Sequence, residues 1–506
     1  MPSPSETLLQ PNDTHNRALL EQVRPAAWLN PEPASRYNLV VIGAGTAGLV
    51  SAVGAAGLGA KVALVERHAM GGDCLNYGCV PSKALIRAAR AVADARAAGQ
   101  FGVESGPIGA DFSAAMERLR RLRTELAAND SVARLASLGI DVFLGQGRFA
   151  ARDAVEVDGR QLRFSRAIIA TGAHAATPSI PGLVEAGFLT NESVFSLTVL
   201  PRRLVVIGAG PIGCELAQAF RRFGSEVTLV GDRPRLLPRE DADASSLLAT
   251  VFEREGVTTL LGARVIRVDA QGQAGERSVV VERGGQETIV RTDAVLVAAG
   301  RIPNLDGLGL DRAGIRWNPH GVVVDDRLRT ANRRVFAVGD IASRFKFTHA
   351  ADAMARLALQ NALFFGRKKA SALVIPWATY TDPEVAQVGI TADEAATRRD
   401  VRSFTVDMEG NDRAVLDGQR EGFARVHTDA RGRILGATVV AAHAGEMIGE
   451  MSLAMTAGVR LGTVARTIHP YPTQSEAWKK LGDASNRTKL TPRLRALFGA
   501  FLRWRR

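Results

Sequence analysis

Cysteine is scarce in this 506-residue chain: only Cys74, Cys79 and Cys214 occur. A domain stapled by disulfides for an oxidising exterior needs more pairs than three cysteines can make, so that class is disfavoured. A zinc site is disfavoured too, because the stretch around Cys74 and Cys79 has no further Cys or His at ligand spacing. Long apolar runs are missing, and no stretch reaches the roughly 20 residues of a membrane span. The first 36 residues are polar and proline-bearing with no apolar core, unlike a secretory signal. A reducing, cytoplasmic setting follows, where a close cysteine pair is more often catalytic than structural. The net charge of +12 invites a nucleic-acid reading, but seven Lys or Arg and no acid lie within 487–506, more than half of the excess. Basic–aromatic interleaving and nucleic-acid fold signatures are absent elsewhere, so no nucleic-acid partner is expected. Anionic cofactors would also favour a mildly positive body.

What is present starts with Gly71-Gly72-Asp73-Cys74-Leu75-Asn76-Tyr77-Gly78-Cys79-Val80-Pro81-Ser82-Lys83. Two cysteines stand five positions apart among glycines, which permit the tight turns that disulfide geometry needs. Pro81 suits a first helical turn, and 82–98 is rich in Ala, Arg and Leu. Cys79 is therefore expected at a helix N-terminus, where the dipole favours a thiolate. The stretch reads as a redox-active pair.

Upstream, the apolar run 38–42 enters Gly43-Ala44-Gly45-Thr46-Ala47-Gly48, a helical stretch follows, and the strand 61–65 ends on Glu66. This is a full dinucleotide fingerprint. Gly43 serves the tight turn, Gly45 the approach of a pyrophosphate, Gly48 close helix–strand packing, and Glu66 is placed for a ribose diol. The pattern recurs at 204–207, Gly208-Ala209-Gly210-Pro211-Ile212-Gly213 and 227–230. Two such folds imply two bound nucleotides and an electron path between them. After Val230 the usual place for a ribose-binding acid is Gly231, followed by Asp232, Arg233 and Arg235. Asp232 favours NADH and the arginines NADPH, so NADH and NADPH both stay open.

Helices are expected over 82–98 and 111–138. A strand at 167–170 leads to Thr171-Gly172, with Pro178 and Pro181 marking a linker. Later strands end in Ala299-Gly300-Arg301 and in Gly339-Asp340. Past a basic break at 366–369, 376–462 mixes strands with one long helix at about 445–457, an α+β pattern. Met447, Met451 and Met455 share one face of that helix as core, and His349 and His443 read as locally satisfied. The fold class is α/β, with two Rossmann-like dinucleotide-binding domains and a C-terminal α+β domain.

From 37 to 484 the chain resembles the class I pyridine nucleotide–disulfide oxidoreductases: dihydrolipoyl dehydrogenase, glutathione reductase and mercuric reductase. The motifs GAGTAG, GGDCLNYGCVPSK, GAGPIGCE, FAVGDIA and PYPTQSE occur in that family's order. Asp73 departs from the family's usual Thr. The resemblance implies an N-terminal arm (1–36) before an FAD-binding domain in two parts (37–195 and 301–366). It further implies an NAD(P)H-binding domain (196–300), a dimerisation domain (370–486) that makes a homodimer, and a basic tail (487–506). It assigns Gly43, Gly45, Gly48, Glu66, Gly72, Gly172, Gly300 and Asp340 to FAD, and Gly208, Gly210, Gly213 and Asp232 to the nicotinamide coenzyme. Cys79 is the thiolate beside the flavin, Cys74 the thiol that meets the acceptor, and Lys83 lies near the flavin paired with Glu215. A hydride donor does not readily reduce a disulfide directly, so a flavin between the two makes chemical sense.

The C-terminal motif departs from the disulfide-reducing members. They carry His-x-His-Pro-Thr-x-x-Glu, whereas this chain has His469-Pro470-Tyr471-Pro472-Thr473-Gln474-Ser475-Glu476. Tyr471 replaces the catalytic histidine and Glu476 is kept. A phenol titrating near 10 is a poor substitute for an imidazole near 6.5. Tyr here is what mercuric reductases carry, although their C-terminal cysteine pair and N-terminal metal-binding domain are lacking. The expected activity is electron transfer from NAD(P)H through FAD and the dithiol to a small acceptor. Hg(II) is one candidate, with Cys74 and Cys79 as its ligands. The rivals are a dihydrolipoyl dehydrogenase or other disulfide reductase using His469, and a low-turnover flavin-binding redox sensor or membrane-associated partner protein. In the tail, Leu490, Leu494, Leu497, Phe498, Phe501 and Leu502 share a face flanked by arginines. That is an interfacial pattern for peripheral contact at the inner face of the membrane, or a helix that packs in the dimer or is simply solvated.

Overall fold

The computed structural model describes residues 9–270 and 276–506. One compact unit comprises the chain up to Ala209 with Leu216–Asp232 and Gly256–Leu373; the other comprises Gly210–Glu215, Arg233–Glu255 and Val374–Arg506.

The first unit is built on the strand Tyr37–Ile42, buried at every position but one. It pairs in parallel with Val62–Glu66 on one side and Arg160–Ile169 on the other, and Asp141–Leu144 extends the sheet beyond Val62–Glu66. Parallel strands covered on both faces need near-continuous apolar runs, which YNLVVI and VALVE supply. Arg160–Ile169 is longer than the expected 167–170 strand because it has three partners along its length. Its polar-alternating first half pairs antiparallel with Ala154–Val157, and its apolar end pairs with Tyr37–Ile42 and Val335–Ala337. A second parallel sheet runs Thr258–Leu261, Glu226–Gly231, Arg203–Ile207, Ala294–Val297, and a three-stranded antiparallel sheet at 264–292 lies in the chain between its last two strands.

One expectation is corrected. The helical stretch 111–138 is broken: Phe112–Ala127 ends, and Val132–Ser137 restarts where Ser131 turns extended and its hydroxyl accepts from Arg134 N. Such a cap satisfies an otherwise orphaned amide and makes Ser a start signal within a helical run. The arm before residue 37 carries a helix of its own. Thr14–Val23 is a helix capped by Asp13, with Leu19 and Val23 fully buried. Asp13 pairs with Arg120 at 2.5 Å, and Asn16 Oδ1 accepts from Arg123 at 2.5 Å.

The second unit centres on a five-stranded antiparallel sheet, in the order Pro376–Thr379, Glu384–Gly389, Ile434–Ala441, Phe423–Asp429, Val401–Asp407. Ala444–Thr456 packs on it through Met447 and Met451, while Met455 is partly buried at the same core. Trp478, fully buried, donates Nε1 to Met447 O at 3.2 Å and joins the helix Glu476–Arg487 to that core. The last helix in the chain, Pro492–Trp504, buries no residue.

Candidate active site

Cys74 lies in the short helix Gly72–Asn76, and Cys79 is the first residue of the helix Cys79–Ala97. Gly78, which precedes that helix, offers no side-chain cap, so the first-turn amides face the Cys79 end of the helix. The loop is pinned from behind. Asn76 Nδ2 donates to Met70 O (3.0 Å) and Gly72 O (2.8 Å), and Arg123 donates to Asn76 O at 2.7 Å. Asn191 donates to Asp73 Oδ1 (3.0 Å) and Tyr77 O (3.3 Å).

Both cysteines are thiols in this structure. The hydrogen bond between them divides their acidities: it is the largest cause of the fall of Cys79 to about 6 and of the rise of Cys74. Burial opposes the fall at Cys79, while the Thr348 hydroxyl and the Lys83 charge one turn along the helix assist it. Thr348 Oγ1 is 3.2 Å from Cys79 Sγ. One sulfur is thus a thiolate near neutral pH and the other a proton-bearing thiol, the division that thiol–disulfide chemistry requires.

Beside the pair, the first fingerprint forms a cradle. Gly43 has φ +99°, and a Cβ there would fall 2.4 Å from Ala170 O. A Cβ on Gly48 would fall 1.8 Å from Gly43 O, and one on Gly72 would fall 2.6 Å from the Gly45 Cα. The backbone is bare where the helix Thr46–Gly57 begins, so its amides can receive a pyrophosphate. Glu66, buried at its strand end, accepts from Ala44 N and His68 N, both at 2.7 Å, and burial pushes its carboxyl upward. A pocket opens there, lined by Gly43, Glu66, Gln146, Thr171 and Asn304 among others.

Gly172 (φ +68°) and Gly300 (φ +121°) immediately precede two short strands, Ala173–Ala175 and Arg301–Pro303, that pair antiparallel. Asn304 Nδ2 donates to Thr171 O at 2.7 Å, and Thr171 Oγ1 donates to Asn304 O at 3.0 Å. Arg301 donates to Ala173 O at 2.6 Å, lies 3.3 Å from Asp73 Oδ1, and places Nε 3.6 Å from Asp340 Oδ2. That Nε is buried without a hydrogen bond. Burial raises the Asp340 carboxyl, against the pull of Arg301 and Lys346.

At the second fingerprint, Gly208 has φ +118° and a Cβ there would meet Ala298 O at 2.5 Å. A Cβ on Gly231 would come 2.7 Å from the Ala209 Cβ, which is why the strand ends on glycine and its first acid is the exposed Asp232. Gly210 has open space where a side chain would be, and the helix Pro211–Phe223 carries Gly213.

In the second unit, Glu215 accepts from Tyr380 N at 2.9 Å. Tyr471 is 70% exposed, and its hydroxyl donates to Asp412 Oδ2 at 2.9 Å, which pushes the phenol further up. His469 is engaged at both nitrogens, Nε2 with Glu450 at 3.0 Å and Nδ1 with Thr467 O at 3.1 Å, and its side chain is 6% exposed. Glu476 opens its helix, where a carboxylate suits the dipole. Sequence reasoning missed Thr348, Asn191, Asn304, Arg123 and Arg301. Thr348 stands 269 residues from the sulfur it touches, so no local pattern marks it.

A thiol pair of divided acidity next to one dinucleotide cradle, in a chain that carries a second dinucleotide fingerprint, defines a flavin-dependent NAD(P)H oxidoreductase. Comparison with known proteins agrees. The family model "Pyridine nucleotide-disulphide oxidoreductase" matches residues 37–355, and that family's dimerisation domain matches 375–481. The chain belongs to this family of pyridine nucleotide–disulfide oxidoreductases, whose members take FAD and NAD(P)H. Mercuric reductase of Bacillus cereus is 34% identical over 93% of this chain and 75% of the relative. Dihydrolipoyl dehydrogenase of Bacillus subtilis is 31% identical over 89% and 98%. The HOCl-induced flavoprotein disulfide reductase RclA from Escherichia coli superposes with a TM-score of 0.79 at 29% identity, covering 88% of this chain and 99% of that one. The bare fingerprint turns, which an added Cβ would fill, fit both nucleotides. The dimerisation-domain match supports a homodimer. Among the described residues, no helix is long and apolar enough to cross a membrane.

Proposed function

We propose that this enzyme passes electron pairs from NADH or NADPH, through FAD and the Cys74–Cys79 pair, to a soft metal ion, Hg(II) foremost. Tyr471 carries the reading. When a dithiol reduces a disulfide, the departing thiolate must be protonated, and the family's disulfide-reducing members place an imidazole there. A phenol held to Asp412 and pushed upward is a poor proton donor near neutral pH. His469, with both nitrogens engaged, does not replace it. A metal ion bound by two sulfurs takes two electrons and needs no proton on a leaving group. Thiolates are also the preferred ligands of soft ions. Mercuric reductases among the relatives, and the existence of a Cu(II) complex of RclA, support an ion as acceptor.

Bound FAD supplies the two-electron relay between a hydride donor and the thiols. The chain's own residues do the rest. Gly43, Gly45, Gly48 and Gly72 receive the pyrophosphate, Glu66 and Asp340 orient the adenosine and ribityl ends, and Gly172 and Gly300 keep the backbone low around it. Thr348 and Lys83 hold Cys79 as thiolate, and Cys74 presents the proton-bearing sulfur to the acceptor. Gly208, Gly210 and Gly213 receive the coenzyme pyrophosphate, and Asp232 reads its ribose. Tyr471 and Glu476 serve the acceptor side, across the dimer. The test is coenzyme oxidation with Hg(II), lipoamide or glutathione disulfide as acceptor, in wild type and Tyr471→His. Hg(II) turnover with poor disulfide turnover, and a gain on lipoamide in Tyr471→His, is the expected pattern. Rapid lipoamide turnover by wild type would overturn the assignment.

We also infer that the 487–506 tail rests on an anionic lipid surface at the cytoplasmic face of the membrane. Leu490, Leu497, Phe498, Phe501, Leu502 and Trp504 are all exposed on or beside the helix Pro492–Trp504. Seven cations and no acid accompany them. Pairing two such tails would bring like charges together, whereas each cation near an anionic bilayer gains about 1 kcal/mol. Flotation with phosphatidylglycerol vesicles should depend on residues 487–506. Equal binding without them, or a truncated chain that turns monomeric, would refute the lipid reading.

A further inference from the structure

We propose that Asp73 sets the reduction potential of the Cys74–Cys79 pair, as a fixed negative charge clamped beside it by Asn191 and Arg301. This rests on the redox reading of the pair. Asp73 directly precedes Cys74 and is fixed at both ends. Its backbone oxygen accepts from Tyr77 N at 2.8 Å, and its Oδ1 accepts from Asn191 Nδ2 at 3.0 Å and lies 3.3 Å from the Arg301 guanidinium. Its Oδ2 lies against the turn that joins the two cysteines: a Cβ on Gly78 would fall 2.9 Å from that oxygen. Even the glycine before Cys79 is therefore accommodated to this carboxylate.

The charges around it make the effect specific. Asp73 and Asp340 are acidic, Arg301 and Lys346 basic, and the four cancel in formal charge. Arg301 approaches Asp340 no closer than 3.6 Å and leaves Nε unbonded, so its fork is spent on Ala173 O and Asp73. With a neutral residue at 73 the same cluster would carry one net positive charge. Beside the larger effects of their mutual hydrogen bond and of burial, Asp73 also pushes both thiols upward.

Reducing the pair breaks one S–S bond, consumes two electrons and one proton, and leaves Cys74 as thiol and Cys79 as thiolate. The step adds negative charge to the site. A neighbouring carboxylate therefore disfavours the reduced pair and makes it a stronger donor to its acceptor. Asp73 acts through its charge as a tuning and positioning residue.

The test is the midpoint potential of the pair in the purified holoenzyme. The enzyme is equilibrated in dithiothreitol buffers of graded potential, and free thiols are trapped by alkylation and counted by mass spectrometry. Asp73→Asn keeps the shape and an oxygen for Asn191 and Arg301; Asp73→Thr also removes the charge; Asp73→Glu retains it. Asn and Thr are expected to raise the midpoint by on the order of tenfold in the equilibrium constant, about 30 mV for a two-electron couple. Asp73→Glu should stay near wild type, with flavin content unchanged in all three. An unmoved or lowered midpoint in Asp73→Asn and Asp73→Thr, or an equal shift in Asp73→Glu, overturns the proposal. A wild-type pair that shows no disulfide at any potential would instead refute the redox reading beneath it.

Discussion

Replacing Thr348 by valine removes a hydroxyl that lies 3.2 Å from the Cys79 sulfur while keeping the side chain's bulk. Cys79 sits at about 6 against an ordinary thiol near 9, so roughly nine-tenths of it is thiolate at pH 7. Its hydrogen bond with Cys74 is the larger cause and survives the substitution. A hydrogen bond to a charged acceptor contributes about 1.5–3 kcal/mol, and a sulfur at this distance belongs at the low end. About 1.4 kcal/mol is one pKa unit, so Cys79 should rise to about 7 and be roughly half thiolate at neutral pH. The readout is the long-wavelength thiolate–flavin absorbance of reduced enzyme as a function of pH. The lowered pKa of Cys79 means the band is present at high pH and lost as pH falls through it. Its midpoint should move from about 6 in wild type to about 7 in Thr348→Val. An unmoved midpoint would refute the role given to the hydroxyl, and a wild-type midpoint near that of an ordinary thiol would refute the divided acidity itself.

Other perturbations follow from the same geometry. Glu240 is 4% exposed, accepts from Trp377 Nε1 at 2.7 Å, leaves Oε2 unpartnered and is raised by burial to about 7. A raised carboxyl favours folding at low pH and is a liability as pH climbs through about 7. Urea melts of Glu240→Gln should therefore match wild type near pH 4 and show a gain of about 2–3 kcal/mol near pH 8. Gly48→Ala puts a methyl 1.8 Å from Gly43 O, so the turn must shift; the flavin-to-protein absorbance ratio should fall severalfold. His469→Gln should lower thermal stability by about 1–2 kcal/mol through the lost Glu450 contact. It should leave the pH profile of turnover in place, whereas a lost profile would restore His469 as an acid–base group.

The parts of this architecture legible in the sequence are those fixed by short-range constraints. Gly43, Gly48, Gly72 and Gly208 are forced by backbone approaches of 1.8–2.6 Å, so the residue type itself reports the geometry. The helix start at Cys79 follows from Gly78 and Pro81 in the same way. Tyr471 was visible as a departure, but Asp412, its partner, was not. What escaped depends on chain segments far apart in sequence. Arg123 looks like one more surface arginine of an amphipathic helix, yet it is buried and joins Asn16 of the N-terminal helix to Asn76 behind the cysteines. The helix in the 1–36 arm was not marked by composition because it is short and polar on average. Only Asp13 as a cap, with Leu19 and Val23 on one side, betrays it. Arg301 was visible merely as the residue after a glycine, while its two carboxylate neighbours come from 228 positions upstream and 39 downstream.

The central claim is that Cys79 is the thiolate facing the flavin and that the pair receives the electrons of NAD(P)H. Anaerobic titration of the yellow holoenzyme with NADH and with NADPH tests it directly, in wild type and in Cys79→Ala. A long-wavelength band that grows in wild type and is absent from Cys79→Ala is the expected result. A band of equal strength in Cys79→Ala would contradict the claim.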